Sequence, residues 1–137
     1  MEVKDYINKT YRYAVVGASR DPNKYGHKVF VDLKQGGYQV YPINPNAGEL
    51  LGEKVYASVE ECPELVDVVV MVVPASVGMV VVDEVDKLGI KKVWFQPGSE
   101  SDELVKRCEQ LGLSCSVDRC IMVERAKSDR ASTPVVG

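Results

Sequence analysis

Short apolar runs alternate along this chain with longer stretches in which apolar residues recur every three or four positions. Tyr13-Ala14-Val15-Val16 is the first run, ended by Gly17. Before it, Tyr6 to Tyr11 reads as a short lead-in helix. Beyond the loop 17–24, Val29, Phe30 and Leu33 have helical spacing, and Gly36-Gly37 predicts a left-handed cap. Tyr38 to Tyr41 is a second strand, stopped by Pro42 and Asn44-Pro45. Residues 46–56 form a loop or short hairpin. Ser58 and Glu61 stand at capping-box spacing ahead of a short helix over Val59 to Cys62. Val66 to Val73 holds six valines in eight residues, the mark of a strand buried on both faces. Ala75 to Leu88 repeats apolar residues at Val77, Val81, Val85 and Leu88, a helix closed by Gly89. Lys92 to Phe95 is the next strand. Ser101 caps a helix with Leu104, Val105, Cys108 and Leu111 on its apolar face and Gly112 at its end. Leu113 to Val117 is a last strand.

Strands alternating with helices predict right-handed βαβ units. The expected fold class is α/β: a Rossmann-like three-layer sandwich, with a mostly parallel sheet of about five strands and helices on both faces. Residues 1–127 read as a single domain and 128–137 as a polar, flexible C-terminal tail. In such sheets ligands bind beyond the strand C-termini, near the switch point. The loops to inspect begin at Gly17, Ile43, Val73 and Gln96.

The 137 residues fit one domain, and 25 of them are valine, which favours strands. Lys plus Arg number 17 against 20 Asp plus Glu, a net charge of -3. Nucleic-acid binding calls for clustered positive charge and is not expected. The longest apolar stretch, Val68 to Val82, is broken by Pro74, Ser76 and Gly78 and is too short to span a bilayer. No charged-then-apolar leader is apparent, so a soluble, cytoplasmic protein is expected. Cys62, Cys108, Cys115 and Cys120 show no CxxC spacing, and His27 is the single histidine. A metal site is therefore not expected. Cys62, Cys108 and Cys115 read as buried, reduced thiols, and His27 as a packing residue at the start of the first helix.

The first loop, Gly17 to Gly26, follows a strand and precedes a helix. Gly17 permits a tight turn, and free N–H groups with the helix N-terminus beyond can hold a phosphate. Ser19 adds a hydroxyl, and Arg20 or Lys24 adds charge. The G-x-G-x-x-G fingerprint is missing, because Ala18 and Ser19 follow Gly17 and the next glycine is Gly26. The second strand ends in Ile43-Asn44-Pro45, without the acidic residue an NAD ribose requires. No Walker sequence is present either. The apolar edge at Val73-Pro74 suits an adenine ring or simply ends a buried strand. Gln96 and Gly98 suit an amide-bearing, pantetheine-like chain.

Gly17-Ala18-Ser19, Pro42-Ile43-Asn44-Pro45, Val73-Pro74, Trp94-Phe95-Gln96-Pro97-Gly98 and Asp118-Arg119-Cys120-Ile121-Met122-Val123-Glu124 come in one order. In that order they resemble the small CoA-binding domain proteins, a family similar to the N-terminal CoA-binding domain of the succinyl-CoA synthetase α subunit. The resemblance runs from about Tyr11 to Glu124. It implies coenzyme A as ligand, with Gly17, Ala18 and Ser19 against the phosphates and Lys24, Tyr25 and Gly26 nearby. Asn44 and Pro45 would border the nucleotide, Val73, Pro74 and Ala75 would flank adenine, and Gln96 and Gly98 would meet the pantetheine arm. Cys120 matches the cysteine of the closing motif. It is a candidate for a mixed disulfide with the CoA thiol or, alternatively, a buried structural cysteine.

The synthetase domain carrying the phosphate-accepting histidine has no counterpart here, and no acid–base or nucleophile pair appears by spacing. The expected function is non-catalytic binding of CoA or acyl-CoA. The alternative is a detached CoA-binding component of an acyl-CoA synthetase or transferase that acts with a partner subunit. An exposed sheet edge offers a surface for a homodimer. With a net charge of -3, recognition of a polyanion must rest on local donors around Gly17 to Lys24.

Overall fold

The valine run lies at the centre of the molecule. In the computed structural model, which describes residues 2–132, the strands are β1 (Arg12–Val16), β2 (Gln39–Ile43), β3 (Gly48–Leu50), β4 (Glu53–Val55), β5 (Val68–Met71), β6 (Lys92–Phe95) and β7 (Ser114–Ser116). The helices are α1 (Tyr25–Gln35), α2 (Ala75–Lys87), α3 (Asp102–Leu111) and α4 (Ile121–Ser132). Five strands make one parallel sheet in the order β2-β1-β5-β6-β7, and β3 and β4 form a separate antiparallel hairpin. Every residue of β5 is buried, as expected for a central strand covered on both faces.

Side-chain alternation along the strands divides the core into two layers. Tyr13, Val15, Val68, Val70 and Trp94 pack with Val29, Phe30 and Leu33 of α1 and Ile121 of α4. Ala14, Val16, Val69, Met71, Val93 and Phe95 pack with Val82 and Val85 of α2 and Leu104 and Cys108 of α3. This is the expected three-layer sandwich. The chain turns outward in opposite directions from β1 and β5, so the switch point lies between their C-terminal ends.

Several local expectations are corrected. The lead-in helix at Tyr6 to Tyr11 is absent; a single 3-10 turn spans Val3–Asp5 instead. Pro42 does not stop the second strand but lies within β2, opposite Val15. β2 is an edge strand, where a residue without an N–H is tolerated. The left-handed cap expected at Gly36-Gly37 does form, with Gly37 (φ +86°) as the left-handed residue. The helix at Val59 to Cys62 is one 3-10 turn, Val59–Glu61, with the Ser58–Glu61 capping box formed.

The buried face of α2 is Gly78, Val82 and Val85. It is rotated from the Val77-Val81-Val85 stripe, because Gly78 lets α2 approach Leu104 of α3 closely. The segment beginning at Ser128, read as a tail, is helical to Ser132 as part of α4. Arg125 clamps that helix to α1, bonding Asp32 through Nε (3.1 Å) and Nη2 (2.6 Å). Residues 133–137 lie outside the described residues. No helix among the described residues is long and apolar enough to cross a membrane.

Candidate functional site

The loop after β1 is built around two glycines. Gly17 has φ +100°, and a Cβ there would strike the Val72 carbonyl and Val73 side chain. Gly26, in the first turn of α1, lies against the Gly17 carbonyl with no space for a Cβ. The pair does what the glycines of a shorter dinucleotide loop do, namely turn the chain and press the helix against the strand.

The Gly17 and Ala18 N–H groups are not free, contrary to the expectation for this loop. Both donate to the Ile43 carbonyl, at 3.0 and 3.2 Å. The Asn44 amide donates to the Ala18 carbonyl at 2.8 Å, and the two loops form one unit. His27 donates its Nδ1–H to the Ser19 carbonyl at 2.8 Å, because a carbonyl can only accept. Its packing role is therefore observed directly. Arg20 is also committed: its guanidinium donates to the Ala47 and Glu49 carbonyls and straps the β3–β4 hairpin to the loop. Lys24 is exposed at the N-cap of α1, whose end carries no side-chain cap. Ser19 Oγ accepts from the Asp21 N–H at 3.1 Å and keeps its O–H as a donor; it, Lys24 and the first turn of α1 are the groups of this loop that can meet an anion.

Beside this loop, at the switch point, opens a cavity of about 270 Å³. Val16, Val59, Val73, Val77 and Val81 give it apolar walls, and Gly17, Asn44, Pro45 and Glu84 also line it. Four of the expected site residues thus meet in one place: Gly17, Asn44, Pro45 and Val73. Pro74 and Ala75 stand next to it as the N-cap and first residue of α2. Val59, Val77, Val81 and Glu84 were not anticipated. Their signal was present in α2, which has more valines than one core-facing stripe needs. A more open groove of about 700 Å³ over Glu60, Val80 and Asp83 lies on the outer surface of α2 and includes no strand-end loop.

The other expected residues gather separately. Gln96 is 1% exposed. Its Oε1 accepts from Trp94 Nε1 (3.0 Å) and the Ile121 N–H (2.7 Å), and its Nε2 donates to Cys120 Sγ at 3.5 Å. An amide so occupied holds α4 against β6; an extended ligand chain would find it already paired. Gly98 (φ +91°) turns the same loop. Tyr25 Oη lies 3.6 Å from Cys120 Sγ. Cys120, half-buried, precedes α4. Burial opposes ionisation of its thiol, but Gln96, the Val123 and Met122 N–H groups and Tyr25 outweigh it and lower the pKa. Neither a disulfide nor a cluster of three metal-ligating side chains occurs among the described residues.

Comparison with known proteins agrees with this architecture. Residues 11–126 match the CoA binding domain family. The α subunit of the ADP-forming acetate–CoA ligase II of Pyrococcus furiosus is 33% identical over 94% of this chain. The match spans only 31% of that subunit's length. The Bacillus subtilis protein YneT is 29% identical, with 91% of this chain and 93% of its own covered. A conserved hypothetical protein of Pyrococcus furiosus is 49% identical in solved structure, with a TM-score of 0.80 over 83% of this chain and 98% of that one. The chain belongs to the family of CoA-binding domains, related to those of the ADP-forming acetate–CoA ligase α subunits.

Proposed function

We propose that the protein binds coenzyme A, free or acylated, without catalysing a reaction on its own. The observation that carries this reading is the apolar cavity at the switch point, next to the loop ending in Lys24 and the open end of α1. The cavity suits the adenine ring, flanked by Val73, Pro74 and Ala75 and bordered by Asn44 and Pro45. Ser19, Lys24 and the helix end suit the phosphates, with Ala18, Tyr25 and Gly26 shaping their bed. The pantetheine arm would pass Gly98 and the Gln96 loop toward Cys120. Calorimetry with CoA, dephospho-CoA, NAD and ATP tests the assignment. A clear preference for CoA is expected, and equal affinity for all four would overturn it.

Cys120 fits a thiol exchange at the end of that arm. Its thiolate attacks one sulfur of a CoA disulfide; a Cys120–S–S–CoA bond forms and the other half leaves as a thiolate, which takes up a proton. Intact-mass measurement without reductant should show a CoA adduct that disappears in Cys120→Ser.

The similarity to a ligase α subunit favours a second reading, a CoA-binding component that works with a nucleotide-hydrolysing partner. Co-purification of such a partner, with CoA-dependent ATP turnover restored on mixing, would support it.

A further inference from the structure

Cys108 and Cys115 belong to none of the strand-end loops. α3 ends in a left-handed cap at Gly112 (φ +74°), and the Leu113 N–H returns to the Cys108 carbonyl at 2.9 Å. The chain therefore folds back beside Cys108 before entering β7. Leu113 and Cys115, two residues apart, face the same side of that strand. Both pack into the layer beneath α2 and α3, where Cys108 is fully buried. Cys108 and Cys115 share this layer at the turn where α3 folds back, and each biases the other's ionisation, which is opposed at Cys108 and favoured at Cys115. Cys115 is half-buried on the edge strand, whereas Cys108 has no exposed surface.

We infer that Cys108 and Cys115 form a redox dithiol, a modification site that closes to an intramolecular disulfide when hydrogen peroxide reaches the edge of the sheet. The Cys115 thiolate attacks one peroxide oxygen. The O–O bond breaks, leaving Cys115 as a sulfenic acid and releasing hydroxide. The Cys108 sulfur then attacks the sulfenic sulfur, the S–S bond forms, and hydroxide leaves. The two thiol protons convert both hydroxides to water. Two electrons pass from sulfur to the peroxide, so two thiols and one hydrogen peroxide give one disulfide and two waters. At Cys62, by contrast, burial and the nearby Glu84 and Glu61 carboxylates push the thiol up to about 11.

The full chain treated with hydrogen peroxide, alkylated and cut with trypsin provides the test. Cleavage after Arg107 and Arg119 places both cysteines in one peptide, residues 108–119, and leaves Cys62 and Cys120 in others. That peptide should become lighter by two hydrogens and lose both alkylation sites, reversibly with dithiothreitol, while Cys62 stays alkylatable. In Cys108→Ser, or Cys108→Ala if the serine unfolds the protein, a sulfenic acid should accumulate on Cys115 and be trapped by dimedone. Recovery of peptide 108–119 with both sites still alkylated would overturn the inference. So would oxidation of Cys108 persisting in Cys115→Ser.

Discussion

The first turn of α1 at Gly26 is pressed directly onto the carbonyl of Gly17, with no room between them for a methyl group. Gly26→Ala should therefore force strand and helix apart and cost about 3 kcal/mol by urea denaturation. Gly52→Ala is the control. Its Cβ would meet nothing, and only the left-handed φ of +80° is penalised, at about 1 kcal/mol.

Val77 combines a place in the cavity wall with 43% exposure on α2. Val77→Glu should leave stability within about 0.5 kcal/mol of the parent. The same change puts a charge into an apolar slot and should weaken CoA binding roughly tenfold or more by calorimetry. Unchanged affinity would remove the cavity from the ligand site.

Ser19→Ala combined with Lys24→Ala should weaken CoA binding by about one to two orders of magnitude, the scale of one or two charge-assisted hydrogen bonds. Neutralising Lys87, on the far part of α2, should change little. Titration with CoA at two salt concentrations measures both.

The donors around Cys120 stabilise its thiolate, so alkylation by iodoacetamide should reach half-maximal rate below the ordinary thiol pKa of 9.0. Cys62, raised by burial, should lag behind it. The depressed pKa also carries a stability term. It is fully present above the unfolded value and is lost as pH falls through the folded value. Gln96→Ala removes one donor and should move the Cys120 midpoint upward. It also strips the Ile121 N–H of its acceptor, at a cost of about 3 kcal/mol.

Arg125 ties α4 to the body of the protein through Asp32 and also pairs with Asp129, which accepts from Tyr38 Oη at 2.8 Å. Burial raises the Asp129 pKa, but Tyr38 and Arg125 outweigh it and hold it below 3.8. Its contribution is complete above the unfolded value and lost as pH falls through the folded one. Arg125→Ala should cost about 1–2 kcal/mol, and hydrogen exchange should show α4 opening first. Acidification below about pH 4 should loosen the same helix in the parent protein.

The sheet was legible because its central strands carry their burial in the sequence: β5, Val-Val-Val-Met, lies inside the valine-rich run, and β6 was bounded at both ends as observed. The cavity loops at Gly17, Ile43 and Val73 could be located from strand ends alone, whereas the wall formed by Ala57, Ser58 and Val59 could not. Other features depended on tertiary contacts. Gly78 turned the buried face of α2, which freed Val77 and Val81 for the cavity. α4 escaped notice because its polar residues, Arg125 and Asp129, dock through charge and leave no apolar stripe beyond Val123. The Gly17 and Ala18 donors looked free because their acceptor, the Ile43 carbonyl, is 26 residues from Gly17 in sequence.

The two edges of the sheet are unequal. Tyr56 covers the end of β2 through a bridge at Ile43, while no strand among the described residues pairs with the outer side of β7. Strand addition by a second chain would therefore fall on Ser114-Cys115-Ser116. Such a union would screen the Cys115 sulfur from solvent-borne oxidants. Assembly at that edge and peroxide sensing would then be mutually exclusive occupations of the same three residues, with protein concentration deciding between them.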